Sequence, residues 1–195
     1  MKLVTYSKEA GTGWSAPFDP ALDGPRTFVL VFGAPDCVED PATLAGIAAA
    51  FPNSCVTGCS TAGEIHGACV LDHSLVVAVA AFEHTELRIA HADVPTAANS
   101  REAGRSLAAA LHGESLRGVL VLSDGLGVNG SELARGINES LPADVAVTGG
   151  LAGDGSRFSR TWVLRDGRAT SSVVTAVGFY VEQLQFSHGS RGGWD

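Results

Sequence analysis

Between positions 26 and 181 short apolar runs alternate with segments of mixed polarity. Phe28-Val29-Leu30-Val31-Phe32-Gly33 is a continuous apolar run ending in glycine, the form of a strand buried on both faces. Asp40-Pro41 then places an N-cap carboxylate before a proline at the first helical position. Leu44, Ile47 and Ala48 continue that helix at helical spacing, and Phe51-Pro52 stops it. Residues 54–58 form a second short strand that feeds a loop of small residues ending at Glu64. Residues 75–82 and 86–91 predict a strand pair that turns at 83–85.

A helix capped by Asn99, with Glu102 three residues on, leads to the same order again. Gly118-Val119-Leu120-Val121-Leu122-Ser123 is a buried strand, Asn129 with Glu132 opens a helix, and Leu141-Pro142 closes it. Val147-Thr148-Gly149 repeats Val56-Thr57-Gly58, and a second small-residue loop ends at Asp154. Strands at 161–164 and 172–181, around a turn at 165–168, complete the set. One βαβ-plus-hairpin unit therefore reads twice, about 90 residues apart. The expected fold is α/β, with mixed β-sheets flanked by helices and the units related by a pseudo-two-fold axis. Residues 1–25 read as an irregular lead-in pinned by Trp14 and Phe18, 26–98 as the first unit, and 99–187 as the second with its connecting helix. Residues 188–195 read as a linker towards a missing second domain.

With 45% hydrophobic and 17% charged residues, the chain has the composition of a folded globular protein. The net charge of −8 and the lack of any basic run argue against a nucleic-acid partner. No apolar stretch is long enough for a secretion signal or a membrane span, so a cytoplasmic setting without membrane contact is expected. The 24 glycines exceed ordinary usage without forming a tract, so they belong to specific loops.

Two of those loops carry the candidate chemistry. Gly58, Cys59, Ser60, Thr61, Gly63 and Glu64 follow one strand, and Gly149, Gly150, Gly153 and Asp154 follow its counterpart. Glycines let backbone N–H groups converge on an anion, and the two hydroxyls add donors. With Asp124 at a third strand end, three carboxylates would border one cleft, which suits a small zwitterion such as an amino acid. The plainer alternative is that the glycines turn the chain and the acids cap helices. Catalytic signals are weak: the first loop has GxSxxG rather than GxSxG spacing, and no histidine stands out as its base. Cys59 reads either as a thiol activated by nearby N–H donors or as an inert buried cysteine. Cys55, Cys59, His66, Cys69 and His73 permit zinc by count. Cys55 lies in an apolar strand, however, and the second unit has no equivalents, so no metal is expected. His188 reads either as an exposed loop histidine or as an axial haem ligand.

Gly58-Cys59-Ser60-Thr61-Ala62-Gly63-Glu64-Ile65, the 149–154 loop followed by Phe158 and Thr161, and Ser187-His188-Gly189 resemble the N-terminal region of the FIST sensory-domain family. The resemblance implies a cytoplasmic bacterial signal-input module that binds a small ligand such as an amino acid, rather than an enzyme. It further implies fusion to, or partnership with, a histidine kinase, a chemoreceptor or a cyclic-di-GMP enzyme, and a following C-terminal FIST region. No cofactor is required on this reading. A haem-binding branch of the family makes a nitric-oxide sensor built on His188 the alternative, and a thiol- or carboxylate-dependent enzyme stands behind both.

Overall fold

The computed structural model describes residues 1–182. Two mixed sheets lie face to face, with helices on their outer sides. The first sheet holds β1 (Lys2–Glu9), β2 (Thr27–Gly33), β3 (Cys55–Ser60), β6 (Ser74–Ala81), β10 (Val163–Arg165) and β11 (Arg168–Thr170), in the order β1-β6-β2-β3-β10-β11. The second holds β7 (Glu86–Asp93), β8 (Leu116–Ser123), β9 (Ala146–Leu151) and β12 (Val173–Tyr180), in the order β7-β12-β8-β9. A hairpin of β4 (Glu64–His66) and β5 (Cys69–Leu71) forms a small sheet of its own. Helix α1 (Pro41–Ala50) covers the first sheet, and α2 (Ser100–Leu111) and α3 (Gly130–Asn138) cover the second.

The four layers follow from the alternation of side chains along each strand. On β2, Val29 and Val31 face Leu44 and Ile47 of α1, while Phe28 and Leu30 face the other sheet. On β8, Val119 and Val121 face Leu107, Leu133 and Ile137 of the helices, while Leu120 and Leu122 face the first sheet. Phe28 and Phe179 meet edge to face between the sheets with ring centroids 5.6 Å apart. The continuous apolar runs are thus strands with two buried faces. β2 and β3 run parallel, as do β8 and β9, and the other pairings are antiparallel. The helix starts follow their sequence signals at Asp40, which accepts from Thr43 N, and at Asn129, which accepts from Glu132 N. Asn99 makes no such cap, because a 3-10 turn at Ala97–Asn99 runs directly into α2.

Three expectations need correction. The lead-in is not irregular throughout: β1 pairs along its full length with β6, from Lys2↔Ala81 to Glu9↔Ser74. Trp14 and Phe18 pin the segment that follows: their rings meet at a tilt, and Phe18 meets Tyr6 and Phe51 edge to face. Second, neither expected strand pair forms: β10 turns back on β11 while β12 lies in the second sheet between β7 and β8, and β6 and β7 are not a pair. β6 already has β1 on one side and β2 on the other, so the turn at 83–85 carries the chain across to the second sheet, where β7 pairs with β12. Third, β3 runs on to Ser60 and β9 to Leu151, so Cys59, Ser60 and Gly150 are strand residues rather than loop residues. The 188–195 segment lies outside the described residues.

Candidate functional site

Parallel strands expose their C-terminal ends at one rim, and the chain segments leaving that rim converge there. After β3, Thr61 N donates to Gly33 O at the end of β2, at 3.0 Å. After β9, Ala152 N donates to Ser123 O at the end of β8, at 2.7 Å. The two small-residue segments then meet: Gly153 N donates to Ser60 O at 2.9 Å, and Cys59 and Ala152 share an apolar cluster with Leu122. They are therefore in contact, pressed shut rather than open as a cradle.

Each predicted carboxylate is buried and held by the chain's own donors. Glu64 accepts from Thr61 Oγ1 at 2.6 Å and from Ser74 Oγ and N at 2.7 and 3.3 Å, which ties the β4–β5 hairpin to β6. Asp124 accepts from Leu126 N, Gly127 N, Thr161 Oγ1 and Ser172 N. Asp154 accepts from the backbone N–H groups of Phe158, Ser159 and Arg160, closing a turn around Phe158, whose φ is +47°. Burial pushes the Asp124 carboxyl up, but the hydrogen bonds from Ser172, Leu126, Gly127 and Thr161 outweigh it and hold the group below its ordinary value. At Asp154 the N–H groups of Arg160 and Ser159 lower the pKa in the same way.

These carboxylates act as staples. Asp124→Ala would leave backbone donors in the interior without a partner, and we expect a loss of about 2–3 kcal/mol of stability in urea titrations at pH 7. Because the folded protein holds this proton less tightly than the unfolded chain does, the stabilisation is complete above the unfolded carboxyl's pKa of about 4. It is lost as pH falls through the folded value. Asp124→Asn should flatten that part of the acid limb in stability measured from pH 6 downwards.

Open space lies beside the staples. Past the ends of β1 and β2, a cavity of about 260 Å³ is bordered by Lys8 of β1, by Asp36, Glu39 and Asp40 of the segment after β2, by Thr43 of α1, and by His73 and Ser74. A recess of about 60 Å³ lined by Thr61, Gly63, Glu64, Asp72 and Arg157 adjoins it, with His73 in both linings. Lys8 Nζ lies 2.6 Å from Thr43 Oγ1 and 3.4 Å from Asp40 Oδ2. His73, in a left-handed backbone conformation at φ +51°, puts Nδ1 2.7 Å from Asp36 Oδ2. Hydrogen bonds from the Thr43 hydroxyl and N–H hold the Asp40 carboxyl low.

Of the predicted site residues, Thr61, Gly63 and Glu64 reach this crevice. Gly149 and Gly150 instead line a separate, mostly apolar groove of about 400 Å³ between α3 and β9. Gly58, Cys59 and Ser60 are packed inside β3. Lys8, Asp36 and His73 were not foreseen. Asp36 was accessible to reasoning, since it follows the C-terminal end of a strand, but Lys8 was hidden in a segment read as irregular.

Across residues 27–195 the chain matches the family model of the FIST N domain. It belongs to that family. FIST N domains are sensory, non-catalytic domains of signal transduction. No match is found among curated proteins. The family match begins at Thr27, the first residue of β2, so β1 and its Lys8 lie ahead of it.

Burial pushes the Cys59 thiol up to about 12, the opposite of activation. Cys55 and Cys59 stand in β3 and Cys69 in the hairpin; among the described residues no three His, Cys, Asp or Glu side chains gather as a metal-holding group. The α3–β9 groove is lined by Val121, Ser123, Gly130, Ala134, Ile137, Val147, Thr148, Gly149, Gly150 and Leu151, with no axial ligand among them. His188 lies outside the described residues. No helix among them is long and apolar enough to cross a membrane.

Proposed function

We propose that this FIST N domain is a cytoplasmic signal-input module that binds a small zwitterion, an amino acid or a close relative, in the crevice past β1 and β2. The observation that carries the reading is the pairing of charges around that cavity. Lys8, in contact with Asp40, and Asp36, in contact with His73, both line a volume of about 260 Å³. A ligand carboxylate would take the Lys8 ammonium and a ligand ammonium the Asp36 carboxylate, each a charge-assisted hydrogen bond. Thr61, Gly63, Glu64 and Arg157 line the adjoining recess.

The site joins β1, the start of α1 and the base of the β4–β5 hairpin, so occupancy would hold these three segments together. Such a change is one that a histidine kinase, a chemoreceptor, a cyclic-di-GMP enzyme or a following FIST region could read.

Calorimetry of the full chain against the twenty amino acids tests this. We expect at least one to bind, and Lys8→Met and Asp36→Asn each to weaken that binding by about tenfold or more. Their melting temperatures should stay within about 3 °C of the parent, since each removes one partly exposed ion pair. A folded protein that binds none of the twenty, or variants that bind as the parent does, would overturn the reading.

A further inference from the structure

The two sheets share a strand order, and one place where they differ is the edge. In the first sheet, β3 lies beside β2 with Gly58 opposite Val31, and in the second β9 lies beside β8 with Gly149 opposite Val121. The outer edge of β3 is closed by the β10–β11 hairpin, whose Trp162 and Leu164 are packed with Leu44, Ile47 and Val31. The outer edge of β9 has no strand on it among the described residues. The space that Trp162 and Leu164 occupy in the first sheet is, in the second, the groove of about 400 Å³ bordered by Val121, Ala134, Ile137, Val147 and Leu151. Leu151 is 52% exposed.

A bare strand edge is normally protected by charge, proline or a bulge. Ala146-Val147-Thr148-Gly149-Gly150-Leu151 has none of these. Elsewhere the chain carries the complementary feature. The β4–β5 hairpin follows β3 in sequence as β10–β11 follows β9, yet it pairs with no other strand among the described residues. Ile65 and Val70 stand directly opposite each other across it and so share a face. They are 71% and 75% exposed.

We propose that the β4–β5 hairpin of one copy docks on the free β9 edge of a second copy, seating Ile65 and Val70 in the groove between α3 and β9. The occupant is a second copy because this chain already contains such a joint, in β10–β11 on β3, and carries both halves of another: one uncovered edge and one unspent hairpin. Neither contacting surface carries a charge to be buried, since Glu64, the acid of the hairpin, is turned inward onto Thr61 and Ser74. The hairpin is anchored there and at His66, whose Nε2 lies 3.4 Å from Thr5 Oγ1 of β1, so it serves another copy's second sheet rather than its own. Two reciprocal joints close a dimer.

Sedimentation equilibrium of the full chain tests this. We expect a dimer with a Kd in about the micromolar range, as suits a joint smaller than an obligate interface. Leu151→Asp and the hairpin pair Ile65→Asp with Val70→Asp should each give a monomer at concentrations where the parent is dimeric. Those side chains are exposed in the single copy, so melting temperatures of the monomers should hold within about 3 °C. Gly150→Lys, at a position where an added Cβ meets nothing within 4 Å, is the second edge variant should Leu151→Asp fold poorly. The edge variant and the hairpin variant, mixed with different fluorophores, should recover one joint and show energy transfer, whereas either variant mixed with itself should not. A parent that stays monomeric up to about 500 µM, an edge variant that remains dimeric, or a mixture that fails to associate would each overturn the proposal.

Discussion

Gly149→Ala is expected to abolish the folded state, and Gly58→Ala to come close. A Cβ at Gly149 would lie 1.8 Å from Val121 O, and one at Gly58 would lie 1.9 Å from Val31 O. In both cases the obstacle is the backbone of the neighbouring parallel strand, which cannot rotate aside as a flexible side chain could. Separating the strands would break the β2–β3 or β8–β9 ladder and pull the helix-facing Val31 or Val121 out of its layer. Gly149 bears a second constraint, a φ of +148° that L side chains rarely adopt and that costs about 1–3 kcal/mol when forced. Against a total stability of about 5–15 kcal/mol, a loss of about 4 kcal/mol or more at either site leaves little margin. Gly150→Ala, one residue on, is the control: its Cβ would point into open space, and stability should stay within about 0.5 kcal/mol of the parent. Soluble yield, far-ultraviolet circular dichroism and urea midpoints check all three, and parent-like midpoints for Gly149→Ala would show that the strands can part cheaply.

Trp162→Ala should cost about 3–5 kcal/mol, the range for emptying a fully buried aromatic site. Trp162 is the largest of the fully buried side chains, and its Nε1 donates to Ala34 O at 3.3 Å. Its backbone is locked to Ser60, donating to Ser60 Oγ and accepting from Ser60 N. The ladder between β10 and β3 contains the single pair Val163↔Cys59, so side-chain burial rather than backbone pairing holds this hairpin on the sheet. The loss should therefore appear locally as well as globally. Hydrogen exchange at Ala169 and Thr170 of β11 should speed up under conditions where Val29 and Val31 of β2 remain protected. Trp162→Phe, which keeps the ring in the layer but gives up the bond to Ala34, should recover more than half of the stability. A loss from Trp162→Ala of under about 1 kcal/mol would mean that α1 and β10 can close over the space.

Much of the local structure was legible because its signals are local. Asp40 with Pro41 marks a helix start through one side-chain bond and one fixed φ. The runs at 28–33 and 118–123 announce strands covered on both faces, and the four layers supply the two covers. The glycines after Val-Thr were misjudged for a physical reason. Glycine at the end of an apolar run signals a turn as readily as a close backbone approach, and only the position of the neighbouring strand distinguishes the two. The carboxylates were legible as a set but not in their role. The partners of Asp124 come from positions 126, 127, 161 and 172, and no pattern near 124 reveals donors 37 and 48 residues away. The crevice escaped notice for the same reason, since it needs Lys8, Asp36 and His73 from three separated segments.

By itself, the sequence determined the class of fold, the succession of most strands and helices between 26 and 181, and the family to which the domain belongs. Period, caps and glycines are written residue by residue, and each reports on its immediate surroundings. The tertiary structure decided which strands became neighbours: β6 took β1 and β2 and released β7 to the second sheet, and the hairpin after β9 was spent on the edge of β3. Those choices depend on burial summed over long-range contacts, and alternation along a strand says which face is covered but never by what. They also closed the two small-residue segments on each other, opened the charged crevice beside them and left the outer edge of β9 without a strand among the described residues.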